Sequence, residues 1–163
     1  MDLILWRHAE AEDIRHRMED KDRQLTAKGR KQAQKMAAWL NALLPHDSRI
    51  LASPAMRTVQ TAKALEREFE ISDALFTSAS VNDHLAASGW PTGGCTVLVG
   101  HQPTLGQLAA LLMSGHPHQW AIKKGAVWWL RSVGGPAQLA SLHAAATPAA
   151  LWAGYVDPQE AGY

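Results

Sequence analysis

Apolar positions along this chain follow two rhythms. Leu3 to Trp6 is a short unbroken apolar run that stops at Arg7-His8, and its length and polar borders predict a buried strand. Arg49 to Ala52 and Thr96 to Val99 repeat the pattern, running into Ser53-Pro54 and Gly100-His101. Between them the rhythm becomes helical. Ala33, Met36, Ala37, Leu40 and Leu44 recur at the spacing of one buried helix face, opposite Lys28, Arg30, Lys31, Gln34 and Lys35. Thr26 suits the N-cap of this helix and Pro45 its stop. Met56, Val59, Ala62, Leu65 and Phe69 predict a second buried stripe, with Ser53 as N-cap and Pro54 in the first turn. Leu105, Leu108, Ala109 and Leu112 predict a third helix, opened by Pro103 and broken by Gly115-His116-Pro117-His118.

Elsewhere the pattern is weaker. Residues 74–81 predict a faint strand. Gly89, Pro91, Gly93 and Gly94 make 82–94 read as an irregular loop over the strand ends. Residues 125–133 and 138–146 read as a hairpin turning at Gly134-Gly135-Pro136, and the segment 147–163 is expected to dock or fray. Strand and helix alternate, so the expectation is an α/β fold, a three-layer α/β/α sandwich. Its central sheet is mostly parallel, with a late antiparallel addition. No repeat, linker or low-complexity stretch divides the chain, so residues 1–163 read as one domain.

Composition narrows this only slightly. The hydrophobic fraction is 47% and the charged fraction 19%, ordinary values for a globular protein. A net charge of +1 provides no bulk attraction to nucleic acid or an anionic membrane. Cys95 is the single cysteine, which excludes an internal disulfide, and no segment approaches the roughly 20 apolar residues of a membrane span. The expected location is the cytoplasm, as a monomer or weak dimer.

Candidate chemistry sits at strand ends. In an open parallel sheet, ligands bind beyond the carboxyl ends of the strands. The sequence places Arg7, His8, Arg57 and His101 there, two guanidiniums with two imidazoles, a combination suited to a dianion. Guanidinium pairs bidentately with phosphate oxygens in a way lysine cannot. Arg57 falls in the first turn of its helix, where a cation opposes the helix dipole unless an anion is bound. The charged stretch from Ala11 to Gln24 reads as a surface loop. Gly29, in the first turn of a helix, indicates close backbone packing. His16, His46, His116, His118 and His143 read as surface or core residues, and no acid or cysteine cluster turns His116-Pro117-His118 into a metal site.

These stretches resemble, in order, the motifs of a known family. Arg7-His8-Ala9, Leu25-Thr26-Ala27-Lys28-Gly29, Ser53-Pro54-Ala55-Met56-Arg57-Thr58-Val59-Gln60-Thr61-Ala62 and Val99-Gly100-His101-Gln102-Pro103 are similar to those of the histidine phosphatase superfamily. The small size is most like its SixA-type phosphohistidine phosphatase branch. The resemblance implies a phosphoglycerate mutase-like fold, a phosphohistidine intermediate on His8, and phosphate binding by Arg7, Arg57 and His101. It implies no metal or cofactor. It also places the Ala11–Gln24 loop beside the phosphate, so that one of its basic residues is a candidate to touch substrate. The implied partner is a phosphorylated histidine-containing protein of the phosphotransfer type.

Two departures bear on substrate. Ala9 stands where the family often has glycine. Members that cleave alcohol phosphates commonly place a glutamate acid near Asp83-His84, whereas this chain has no glutamate between Glu70 and Gln159. Asp83 and His84 are the candidates for that role and for substrate binding. An imidazole leaving group needs less protonation than an alkoxide, which favours phosphoramidate substrates. The alternatives are a small-metabolite phosphomonoesterase of the same superfamily and a non-catalytic phosphate-binding module.

Overall fold

The computed structural model describes residues 1–135 and 138–152. Pro136 of the expected hairpin turn and the segment 153–163 lie outside the described residues. A six-stranded sheet has the order β3-β2-β4-β1-β5-β6. Its strands are β1 (Asp2–Arg7), β2 (Arg49–Ala52), β3 (Glu70–Ile71), β4 (Cys95–Gly100), β5 (Val127–Ser132) and β6 (Ala140–Ala146). Strands β1 to β4 pair in parallel, while β5 and β6 join antiparallel beyond β1. The expected late hairpin is therefore present.

Helices cover both faces. Helices α1 (Ala27–Leu43) and α2 (Met56–Lys63) lie on one side, α3 (Val81–Ser88) and α4 (Thr104–Ser114) on the other, and α5 (Pro148–Trp152) docks against α1. Alternate strand residues feed two cores. Ile4, Trp6, Val97, Val99 and Trp129 meet Met36, Leu40, Ala62 and Leu65, while Leu3, Leu5, Leu98 and Leu130 meet Leu105, Leu108 and Leu112. Strands buried on both faces read as unbroken apolar runs, which is why β1, β2 and β4 stand out in the sequence. Trp128 and Trp129 point to opposite cores.

The α1 reading holds in detail. The Thr26 hydroxyl accepts from the Gly29 N–H at 2.9 Å, and Leu44 caps the carboxyl end beside Pro45. A Cβ on Gly29 would overlap the Glu10 carbonyl, so glycine here permits contact between α1 and the loop after β1.

Four expectations are corrected. First, residues 74–81 are not a strand; the β3 pairing lies earlier, at Glu70–Ile71, followed by a 3₁₀ turn at Asp73–Leu75. Second, residues 82–94 are not simply a loop. A capping box joins Ser80 and Asp83 and starts α3, and Gly89, in the left-handed region at φ 75°, ends it. Third, Ser53 is not an N-cap, because α2 begins at Met56 after Ala55. Fourth, the predicted stripe on α2 holds only in part: Ala62 and Leu65 are buried, but α2 ends at Lys63, before Leu65 and Phe69. Met56 is exposed, and the buried face carries Arg57, Thr58, Thr61 and Ala62. Among the described residues, no helix is long and apolar enough to cross a membrane.

Candidate active site

Strand register assembles the site. Arg7 pairs with Gly100, so the residues that follow, His8 and His101, leave neighbouring strands side by side. Their ring centroids are 5.4 Å apart. Ala52 pairs with Val99, which brings Ser53 alongside, and the Ser53 hydroxyl lies 2.8 Å from His101 Nε2. His8, Arg57 and His101 are all buried.

One contact fixes the state of His8. Its Nδ1 lies 2.8 Å from the Ala9 carbonyl oxygen. A carbonyl only accepts, so Nδ1 carries the proton and Nε2 keeps its lone pair. Ala9 makes this contact with ordinary negative φ, so the family's usual glycine is not needed here. Its N–H donates to Thr61 Oγ1 at 3.2 Å, which ties the loop after β1 to α2.

The cations are positioned by backbone. Arg7 Nη1 donates to the Ile122 carbonyl at 2.9 Å, and Arg57 Nη1 donates to the Asp20 carbonyl at 2.9 Å. Arg57 Nη2 pairs with Asp20 Oδ2 at 2.9 Å. Arg23 Nε holds the other Asp20 oxygen at 2.9 Å, and Arg23 Nη1 donates to the Glu12 carbonyl. Arg7 Nε, Arg57 Nε and His101 Nδ1 are buried without a protein partner. The two guanidinium Nε–H groups are donors and call for an acceptor, and His101 Nδ1 is a donor or an acceptor according to its tautomer.

Electrostatics keep both rings neutral. Burial pushes His8 down to about 3; the Ala9 carbonyl opposes this, and Arg57, Arg7 and Arg23 add to it. His101 also falls to about 3, first through burial and then through Arg57 and His8. Burial raises Asp20, but hydrogen bonds and charge from Arg57 and Arg23 outweigh it, so its carboxyl stays below the usual range.

A pH dependence follows. Unfolded histidine titrates near 6.5, so the unfolded chain binds protons that the folded site refuses. The stability from His8 and His101 is complete above about pH 6.5 and is lost as pH falls toward about 3. Thermal melts should show acid destabilisation across this window, shallower in His8→Asn. An identical slope in that variant would refute a neutral buried His8.

Of the two remaining candidates, His84 is buried beside Ser80 and acts on His101 only through its charge, and Asp83 is engaged by Ser80. His84 is fully buried, its Nδ1 lies 2.8 Å from the Ser80 carbonyl, and it acts electrostatically on His101. The exposed Asp83 carboxylate accepts from the Ser80 N–H and hydroxyl, both at 2.7 Å. Those bonds lower its pKa, the backbone one most. Sequence reading missed Asp20, Arg23 and Ser53. Arg23 is the basic residue of the Ala11–Gln24 loop that the structure brings toward His8. No cluster of three or more metal-ligating side chains occurs among the described residues.

Comparisons with known proteins bear on the family and the fold. Residues 3–76 match the model of the histidine phosphatase superfamily, branch 1. A Picosynechococcus protein described only as uncharacterized is 35% identical over 141 residues, covering 81% of this chain and 86% of its own. A structure described as a putative phosphohistidine phosphatase SixA, from Nakamurella multipartitia, superposes with a TM-score of 0.76 at 27% identity, covering 90% of this chain and 95% of its own. The protein histidine phosphatase SixA complexed with tungstate gives 0.76 at 22% identity, covering 93% and 99%. Phosphatases named for small metabolites share the fold at lower TM-scores. Motif order, strand register and these likenesses agree, and the chain belongs to the histidine phosphatase superfamily, of the SixA type.

Proposed function

We propose that this protein is a metal-independent phosphatase that hydrolyses phosphohistidine on a protein through a covalent phosphohistidine on His8. One observation carries the choice of substrate: among the described residues, neither carboxyl near the candidate site, Asp20 or Asp83, is free to act as a proton donor. Asp20 is held ionised between Arg57 and Arg23, and the Asp83 carboxylate is occupied by Ser80. An alkoxide leaving group needs such an acid. A phosphohistidine protonated on the ring nitrogen that does not carry phosphorus is an imidazolium, and it leaves as neutral imidazole with no proton from the protein.

The steps balance without an external acid. His8 Nε2 attacks phosphorus in line, the substrate P–N bond breaks, and the substrate imidazole leaves neutral with its distal proton. His8 then carries phosphoryl on Nε2 and its original proton on Nδ1, so the ring is cationic. The Ala9 carbonyl stabilises that cation through the 2.8 Å contact. Water attacks next, the Nε2–P bond breaks, and His8 returns to its neutral tautomer while the water proton passes to phosphate or solvent. Arg7, Arg57 and His101 offer donors to the equatorial oxygens in both steps.

The test is kcat/KM on a phosphorylated histidine protein against sugar and serine phosphates, in excess EDTA and with vanadate as inhibitor. The expected result is a preference for phosphohistidine, EDTA resistance and vanadate inhibition. A preference for any alcohol ester, as in a small-metabolite phosphomonoesterase, would defeat the substrate assignment. Phosphate binding without turnover would leave a binding module.

A further inference from the structure

We propose that a lysine ridge leading away from the site docks an acidic segment of the protein that carries the phosphohistidine. The inference rests on the function proposed above. Lys28, Lys31 and Lys35 lie at helical spacing on the exposed face of α1, and Lys123 and Lys124 stand on the turn before β5. Two surface hollows join them. Lys28, Gln32, Lys123 and Lys124 line one; Lys31, Gln34 and Lys35 line the next; Trp152 borders both. The ridge is therefore continuous.

Its placement works against local stability. The first turn of α1 holds no acidic residue, although cations there oppose the helix dipole and the lysines repel one another. Among the described residues, only Lys28 of the five reaches a carboxylate, Glu10 at 3.9 Å. Lys31, Lys35, Lys123 and Lys124 form no ion pair among the described residues. An anionic partner turns this unfavourable arrangement into a complementary one.

The ridge is tied to the nucleophile. The Gly125 N–H, next to Lys124, donates to the carbonyls of Arg7 at 3.1 Å and His8 at 2.9 Å. Gln32 Oε1 accepts from the Glu10 N–H at 3.0 Å. The lysines thus stand on backbone that is hydrogen-bonded to the Arg7-His8 segment and to Glu10. The ridge uses lysine throughout, without the arginine forks favoured for nucleic-acid phosphates, and the net charge is only +1. The favoured occupant is a run of Asp and Glu on a protein.

The experiment compares free phosphohistidine with two phosphohistidine peptides, one flanked by an Asp/Glu block and one by Asn/Gln. At low salt the wild-type protein should prefer the acidic peptide by about tenfold in kcat/KM, through KM, and lose the preference as salt rises. The variant K31E/K35E/K123E/K124E should abolish that preference and leave free phosphohistidine turnover within about twofold. K123Q/K124Q, a milder change, should remove part of it. No preference in wild type, equal loss on all three substrates, or stronger competition by a single-stranded oligonucleotide than by the unphosphorylated acidic peptide would each overturn the docking role. Turnover of none of the three by wild type would instead strike the proposed function, and the ridge's partner falls with it.

Discussion

His8→Ala is expected to lose at least about four orders of magnitude in turnover while remaining folded, because a nucleophile that forms the covalent intermediate has no substitute among its neighbours. His101 is the adjacent imidazole, but its Nε2 faces the Ser53 hydroxyl, and no carbonyl contact fixes its tautomer as the Ala9 contact fixes His8. The variant should also trap no radiolabelled phosphoryl group from a chemical phosphodonor, whereas wild type should. Folding should survive, since the side-chain hydrogen bond of His8 is local, to the next residue. Removing a buried neutral imidazole should also lessen the acid sensitivity described above. Turnover above about a tenth of wild type in a correctly folded His8→Ala would refute covalent catalysis on this residue.

The parts of the molecule visible in the sequence are those governed by burial. β1, β2 and β4 are enclosed on both faces and are apolar throughout, so their order and the polar residues at their ends could be read directly. Gly29 was legible for a physical reason, the poor propensity of glycine in a helix turn. The errors lie where short polar signals compete. Ser53-Pro54 has the composition of a helix start, yet register with β4 places Ser53 beside His101 instead. α3 was hidden by the glycines that follow it, although Ser80 and Asp83, three apart, were its signal. Asp20 could not be separated from Glu19 and Asp22 by sequence. Only the folded loop shows that it, among the three, faces Arg57.

Arg57→Lys should lower kcat/KM by about two to three orders of magnitude, a large loss for a change that keeps the charge. The guanidinium does two things at once. Nη1 and Nη2 hold the Asp20 carbonyl and carboxylate, and the buried Nε remains unpartnered near His8. A single ammonium cannot hold Asp20 at two points and also present a fixed donor to a phosphate oxygen. Arg57→Ala should be worse, because it leaves the Asp20 carboxylate facing an incoming dianion with only Arg23 to neutralise it. Asp20→Ala alone should cost about tenfold by releasing Arg57 from its set orientation. The two residues then predict strong non-additivity. In a double-mutant cycle, Asp20→Ala should partly rescue Arg57→Ala, with a coupling of about 1–3 kcal/mol in transition-state stabilisation. Simple additivity would show that Asp20 neither orients Arg57 nor repels substrate in its absence, and would reduce the pair to an ordinary structural contact.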